Sequence, residues 1–375
     1  MNGSNYTQDA YTDIGELLDR GDITPPAPSI GLRDDGIGLF YRGQSNLVFG
    51  DPESGKTLLA QCAVADELAR GNSALLIDLD HNGAGATISR LISMGVDEAV
   101  LRDAGRFRYC QPEDAEHMAT VVADALDWKP AIVLLDSLGE LLPMYGASSN
   151  SPDDFTRVHT TVVKALVKSG AAVIIIDHLP KNRDAQSFGA TGTTAKKRAI
   201  GGTSLRVSIA EPFKPGIGGR AHVTLNKDRH GGLRASCPSD DREPLAATFK
   251  LWTQTDGDLA WNFIPPKEGE AAPKQDIVSA ADIQTLSELT PPPKSQRDIK
   301  ERLNWGSSRA LDTLKEWRRL GSPTIVLPAP EPYVSGAEEH SYTAPGALPE
   351  HQYNTAPRSS QWEYGSKEHT EKVTS

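Results

Sequence analysis

The sequence predicts an α/β fold with a mostly parallel central sheet, and three observations carry that prediction. Apolar runs of strand length alternate with helix-period stretches from Ile37 to about Ile264. Several of those runs close on acids, at Asp78 and Asp80, at Asp136 and at Asp177. One run, Leu47-Val48-Phe49, enters a glycine-bounded turn from which a helical pattern leaves at once. Strands this apolar need cover on both faces, which parallel crossovers provide.

Residues 1–36 read as a flexible lead-in with one short amphipathic piece around Ile14, Leu17 and Leu18, followed by Pro25-Pro26-Ala27-Pro28. Residues 37–264 form the sheet-bearing domain. The turn after its first long strand is a complete G-x-x-x-x-G-K-[ST] pattern: Gly50, Asp51, Pro52, Glu53, Ser54, Gly55, Lys56 and Thr57. Its backbone should curl into an anion nest at the positive end of a helix, with Lys56 reaching the β- and γ-phosphates and the Thr57 hydroxyl on Mg²⁺. That combination predicts a nucleoside triphosphate site. The following helix shows Leu58, Leu59, Cys62, Ala63 and Leu68 at helical spacing and stops at Gly71.

Next comes a strand ending in acids, Ala74-Leu75-Leu76-Ile77-Asp78-Leu79-Asp80, then a helix from about Gly85 to Met94. A short strand near Phe107-Arg108-Tyr109 and a helix from Asp114 to Leu126 follow. Ala131-Ile132-Val133-Leu134-Leu135-Asp136 is an apolar strand closed by an acid, the Walker B pattern, and Asp136 is the expected carboxylate for Mg²⁺, with Ser137 beside it. The bland alternative is an Asp that merely ends a strand. Ser151-Pro152-Asp153-Asp154 carries a capping box with Pro at the first helical position, and that helix leads to Ala171–His178, a further buried strand. Ser187 to Gly202, rich in Gly, Ala and Thr, has neither strand nor amphipathic pattern and reads as a mobile loop with Lys196-Lys197-Arg198 near its end. Strands at Leu205–Ala210, Ala221–Asn226, Thr248–Trp252 and Ala260–Ile264 complete the sheet.

Residues 265–278 are a linker rich in Pro, Glu, Gly and Ala. In residues 279–328, Ala280–Leu289, Ser295–Leu303 and Ser308–Leu320 read as three short helices, with Thr324–Leu327 as a possible wing strand. Ala310, Leu311, Leu314 and Trp317 make one apolar face of the third helix and leave Arg309, Lys315, Arg318 and Arg319 outward. Three helices and a wing look like a winged-helix module, which implies duplex DNA contact through that basic face; solvated charges or protein binding are the alternatives. Residues 329–375, without periodicity, read as a disordered tail.

Composition sets limits on this reading. Among 375 residues, 39 are Lys or Arg against 50 Asp or Glu, a net charge of −11, so any polyanion must meet a local basic surface. Three cysteines, Cys62, Cys110 and Cys237, share no metal-ligand spacing and do not pair evenly. With no apolar run of membrane-spanning length and no leader at the start, the expectation is a cytoplasmic protein that does not enter a membrane.

The succession of phosphate loop, acid-ending strand, Asp136 strand and Asp177-His178 strand resembles the RecA-like P-loop ATPases, in particular the replicative-helicase branch typified by DnaB and the RepA-like plasmid helicase. The resemblance covers most of residues 37–264. It implies a homo-oligomeric ring, a hexamer, that hydrolyses Mg-ATP between subunits and acts on DNA. Asp80 stands where that family has a catalytic glutamate, one methylene shorter, and Asp78 is a second candidate. His178 matches a γ-phosphate sensor, although a lone histidine is more often a satisfied structural side chain. The loop carrying Lys196, Lys197 and Arg198 matches the channel loop that tracks single-stranded DNA, with a solvated basic loop as the alternative; Lys181 and Arg183 are further phosphate or DNA candidates. Lys227 and Arg229 match cations that reach a neighbour's ATP in the manner of an arginine finger, unless they are ordinary surface charges. Asp80 and the acidic net charge keep a second expectation open, a nucleotide-switched DNA-binding or loading protein that hydrolyses slowly.

Overall fold

The computed structural model describes residues 12–21, 23–179, 194–238, 240–272 and 280–323. In chain order the elements begin with α1 (Ile14–Arg20), whose Asp13 cap accepts from the Glu16 N–H. There follow β1 (Ile30–Leu32), β2 (Gly38–Phe40), β3 (Ser45–Gly50), α2 (Lys56–Ala69), β4 (Ala74–Asp78), α3 (Ala84–Ser93), α4 (Glu98–Arg102), β5 (Phe107–Cys110), α5 (Ala115–Trp128) and β6 (Ile132–Asp136). Then come α6 (Leu138–Met144), α7 (Pro152–Val158), a π-helical segment His159–Val163, α8 (Lys164–Lys168), β7 (Ala172–His178), α9 (Thr194–Ala199), β8 (Thr203–Lys214), β9 (Gly218–Asp228), β10 (Leu245–Thr253) and β11 (Leu259–Ile264). Three further helices are α10 (Ala280–Ser287), α11 (Gln296–Leu303) and α12 (Ser307–Arg319).

Nine strands form one sheet in the order β11-β10-β9-β8-β3-β7-β6-β4-β5. The six from β8 to β5 are parallel, as expected, while β9, β10 and β11 extend one side as an antiparallel meander. The chain leaves β3 and returns to the sheet at β4, with two strands, β7 and β6, between them. Register then lines up the functional ends: Gly50 is level with His178, and Asp78 with Asp136. Ligands of open α/β sheets bind at this carboxyl edge, where strand order switches.

The period of two sends Val48 to one core and Leu47 and Phe49 to the other. The first core joins α2 to the whole sheet from β5 to β11; the second is built with α5, α6, the α7–α8 stretch and α9. Leu59, Ile174 and Val173 are fully buried, each contributing about 1.5–3 kcal/mol by removal from water.

Three expectations change here. The folded region starts inside the expected lead-in: Ile30 of β1 is fully buried, and buried Arg33 donates to the Ala246 carbonyl at 2.7 Å. The stretch expected to be a loop up to Gly202 contains α9, because Ala195 and Ala199 pack on the second core. Strand β8 runs to Lys214 rather than stopping near Ala210.

The C-terminal helices enclose a small core of Leu286, Ile299, Ala310, Leu314 and Trp317. Leu311, expected inside, is 37% exposed, and Thr313 is buried instead. The expected wing strand at Thr324–Leu327 and the tail from residue 329 lie outside the described residues. No helix among the described residues is long and apolar enough to cross a membrane.

Candidate nucleotide-binding site

The phosphate loop is shaped by close approaches that demand glycine. A Cβ on Gly50 would overlap the Val207 carbonyl of neighbouring β8, and one on Gly55 would come within 2.8 Å of Phe213 Cζ. Gly55 also has φ +88°, the left-handed conformation that turns the chain into α2. Helix α2 starts at Lys56, so its unpaired N–H groups and positive end face the loop. The Lys56 side chain is buried and its Nζ donates to the Asp51 carbonyl at 2.6 Å. Burial pulls its pKa down, opposed by the charges of Asp136, Asp51, Asp80 and Asp177. Ser54 Oγ is buried with no hydrogen-bond partner among the described residues. A cradle lined by a buried cation, an orphaned hydroxyl and a helix N-terminus fits the phosphates of a nucleotide.

Beside the loop, Thr57 Oγ1 donates to Asp136 Oδ2 at 2.8 Å. Burial pushes the Asp136 carboxyl up to about 6; the Thr57 bond opposes this, Asp80 and Asp78 add to it, and His178 opposes it. Among the described residues no three His, Cys, Asp or Glu side chains form a metal cage. Thr57 and Asp136 are nevertheless the oxygen pair suited to Mg²⁺, which keeps most of its shell as water and phosphate oxygens. Ser137 Oγ, next to Asp136, is also buried without a hydrogen-bond partner among the described residues.

The two candidates for a water-polarising acid separate cleanly. Asp78 accepts from Tyr109 Oη at 2.7 Å, the Gly83 N–H at 2.9 Å, Asn82 Nδ2 at 3.1 Å, the Asn82 N–H at 3.2 Å and Gln111 Nε2 at 3.3 Å. Burial raises its pKa, but these bonds outweigh burial and hold the carboxyl below its usual range. Asp78 is therefore occupied in shaping the turn after β4, while the other candidate acid, Asp80, is not held in this way among the described residues. Asp80 is exposed, and its N–H is anchored on the Asp136 carbonyl at 3.0 Å. Its charge acts on both Lys56 and Asp136. His178, half-buried at the end of β7, sits level with Gly50, and its charge reaches Asp136. The supporting roles of Asn82 and Gln111, which follow β4 and β5, and of Tyr109 within β5 had no sequence signal beyond their places near strand ends.

The cations divide differently from expectation. Lys196 was expected on a DNA-tracking loop; instead it is buried on α9, and its Nζ pairs with buried Asp177 Oδ2 at 2.7 Å. Lys197 is half-buried and Arg198 exposed. Lys227 Nζ donates to the carbonyls of Lys197, Arg198 and Ile200 at 2.7, 3.1 and 2.7 Å, closing the C-terminus of α9. That engagement removes Lys227 from the role of a free finger. Arg229 is exposed. Asp228, beside it, pairs with Thr203, which is level with the residue before Leu47 on β3. Arg229 thus stands about 13 Å along the strands and about 10 Å across from Gly50, at the opposite edge of the sheet. The turn that presents it is held by Asp228, which accepts from Tyr41 Oη at 2.9 Å, the Arg234 N–H at 2.9 Å and the His230 N–H at 3.1 Å. Burial and the Asp228 bond push the Tyr41 hydroxyl up to about 12.

In the C-terminal helices, Arg309 was expected outward but pairs with buried Asp282 at 2.7 Å and stacks 4.0 Å from the Trp305 ring centroid. Arg318 donates to the Lys294 carbonyl at 2.8 Å, and Arg319 is bound to Glu316 of its own helix. Lys315 is exposed. Lys181 and Arg183 lie outside the described residues.

No protein-family model matches the chain. RecA proteins do match it. RecA of Enterococcus gallinarum is 27% identical over 242 residues, 60% of this chain and 66% of the relative. RecA of Bacillus pumilus and RecA of Bacillus subtilis are each 27% identical over 233 residues, 58% of this chain and 64% of the relative. The core has a RecA-like P-loop fold. The chain spans a little under two thirds of the length of these relatives. A solved KaiC-like protein from Pyrococcus horikoshii overlaps 64% of this chain and 99% of its own at 14% identity, with a TM-score of 0.43.

Proposed function

We propose that this chain is a Mg-ATP-hydrolysing, DNA-acting ATPase of the RecA-like class, working as a ring in the manner of the RepA-like and DnaB-like helicases. The observation that carries the ATPase reading is the Thr57–Asp136 hydrogen bond beside buried Lys56, at the mouth of a glycine-shaped loop. Mg²⁺ bound there would neutralise charge between the β- and γ-phosphates. Lys56 would exchange the Asp51 carbonyl for phosphate oxygens. Asp80, exposed beside Asp136, would orient the attacking water and take its proton, while His178 reads the γ-phosphate from the neighbouring strand end.

Support for a multi-subunit site comes from Arg229, which lies at the far edge of the sheet and therefore far from its own loop. In a ring it would reach the phosphates of the next subunit, so turnover would depend on assembly. For DNA, the exposed or half-exposed cations Lys197, Arg198, Lys315 and Arg318 supply phosphate contacts on the two parts of the chain. The winged-helix reading of residues 279–328 and a cytoplasmic place of action belong to the same proposal.

A second reading, a nucleotide-switched DNA-loading protein with slow hydrolysis, is favoured by the shorter reach of Asp80. Steady-state ATP hydrolysis with and without single-stranded DNA, at low and moderate salt, separates the two. Strong salt-sensitive stimulation supports a motor. Tight ATP binding with slow turnover unaffected by DNA supports the switch, and absence of ATP binding refutes both.

A further inference from the structure

Strands β8 and β9 continue past the edge of the sheet on which the phosphate loop sits. Gly50 is level with Val207, so residues 208–214 run beyond it, and β9 returns beside them with Gly218 paired to Lys214. Most of this arm is exposed, including Ile209, Glu211, Lys214 and Ile217. Phe213 is not. Its ring lies directly against the Gly55 backbone, where a Cβ would come within 2.8 Å of Cζ. Gly219 lets the arm close behind it, since a Cβ there would be 2.7 Å from Phe213 Cα. Phe213, Phe249 and Phe263 then stand in file, with ring centroids 5.6 and 5.5 Å apart. The two inner rings are fully buried. A continuous aromatic file thus joins the core under β11 to the residue that caps α2.

We infer that Phe213 is a positioning residue of the phosphate loop, a role that rests on the triphosphate reading of that loop. Gly55 makes the left-handed turn that aims Lys56 and the first N–H groups of α2 at the phosphates. A ring seated on that turn and backed by two buried rings restricts it to one shape before any nucleotide arrives. Phosphates are held in both the ground and transition states, so this restriction contributes equally to both. It lowers KM and leaves kcat alone. The ring itself touches no reacting atom.

The test is steady-state Mg-ATP kinetics on the full chain carrying Phe213→Ala, Phe213→Leu or Ile217→Ala, with urea unfolding midpoints measured without nucleotide. Phe213→Ala should raise KM about tenfold with kcat within about twofold. Phe213→Leu should stay within about threefold of the parent KM. Ile217→Ala, 67% exposed at the tip, should change neither constant. If Phe213→Ala does not fold, Phe213→Val takes its place, with a KM between those of the Leu variant and the expected Ala value. A folded Phe213→Ala chain with unchanged KM, or with kcat reduced at constant KM, overturns the assignment. A parent chain that neither binds nor hydrolyses ATP overturns the nucleotide reading itself.

Discussion

Lys196→Met would leave the Asp177 carboxylate buried without its cation. In the parent chain the two groups are 1% and 2% exposed and 2.7 Å apart, and Asp177 otherwise accepts from the His178 N–H at 2.9 Å. Breaking a buried pair by removing one partner costs about 3–5 kcal/mol, because the remaining charge keeps its desolvation penalty. With a urea m-value of about 3 kcal/mol/M, the unfolding midpoint should fall by about 1–1.7 M. Acidity should rescue the variant. Burial already pushes the Asp177 carboxyl up, with Lys196 and the His178 N–H opposing, and loss of Lys196 removes most of that opposition. A carboxyl raised above its unfolded value gives stability that is full at low pH and lost as pH rises through the folded value. The deficit of Lys196→Met against the parent should therefore be greatest near pH 8 and shrink toward pH 5. Adding Asp177→Asn should recover much of it at pH 8. A deficit below about 1 kcal/mol at every pH would place Lys196 in solvent and return it to the candidate DNA contacts.

Asp136, pushed up to about 6 by burial, makes two pH predictions. Nucleotide-free stability should decline as pH rises from about 4 through 6, and Asp136→Asn should flatten that decline, worth up to about 3 kcal/mol between pH 4 and 8; equal slopes in the two proteins would contradict this. The kcat/KM for Mg-ATP should run the other way and fall below pH 6, because a proton on the free Asp136 carboxyl competes with Mg²⁺, which a pH profile of kcat/KM measures. Asp80→Asn should cut turnover by about 100-fold or more with stability within about 0.5 kcal/mol of the parent. Asp78→Asn, which brings a donor into a ring of five donated hydrogen bonds, should instead lose about 2–4 kcal/mol in urea unfolding. Reversed outcomes for these two acids would reverse their assignment.

The parts of the fold legible in the sequence were those specified locally. The turn from Gly50 to Thr57 carries its own pattern, and Asp136 closes an apolar run just as the Walker B reading requires. Long-range effects were hidden. Lys196-Lys197-Arg198 has the appearance of a solvated basic run, and only the packing of Ala195 and Ala199 against the second core turns Lys196 inward to Asp177. Lys227 and Arg229 are two residues apart, yet α9 ends within reach of one ammonium and leaves the other cation exposed. Glu211-Pro212-Phe213-Lys214 alternates too weakly to read as strand; pairing with β9 sustains it. Strand β1 was concealed by the prolines ahead of it, although Ile30 is one of the most buried residues in the chain.

The most direct test of a Mg-ATP site shared between subunits is a mixing experiment on turnover. Lys56→Ala alone should lose ATP binding and hydrolysis, and Arg229→Ala alone should bind ATP but turn it over poorly. Mixed in equal amounts, they should recover a fraction of parental turnover, because an Arg229→Ala loop can meet an intact Arg229 from a Lys56→Ala neighbour. No recovery on mixing, or full turnover by Arg229→Ala alone, would contradict a site completed across the interface.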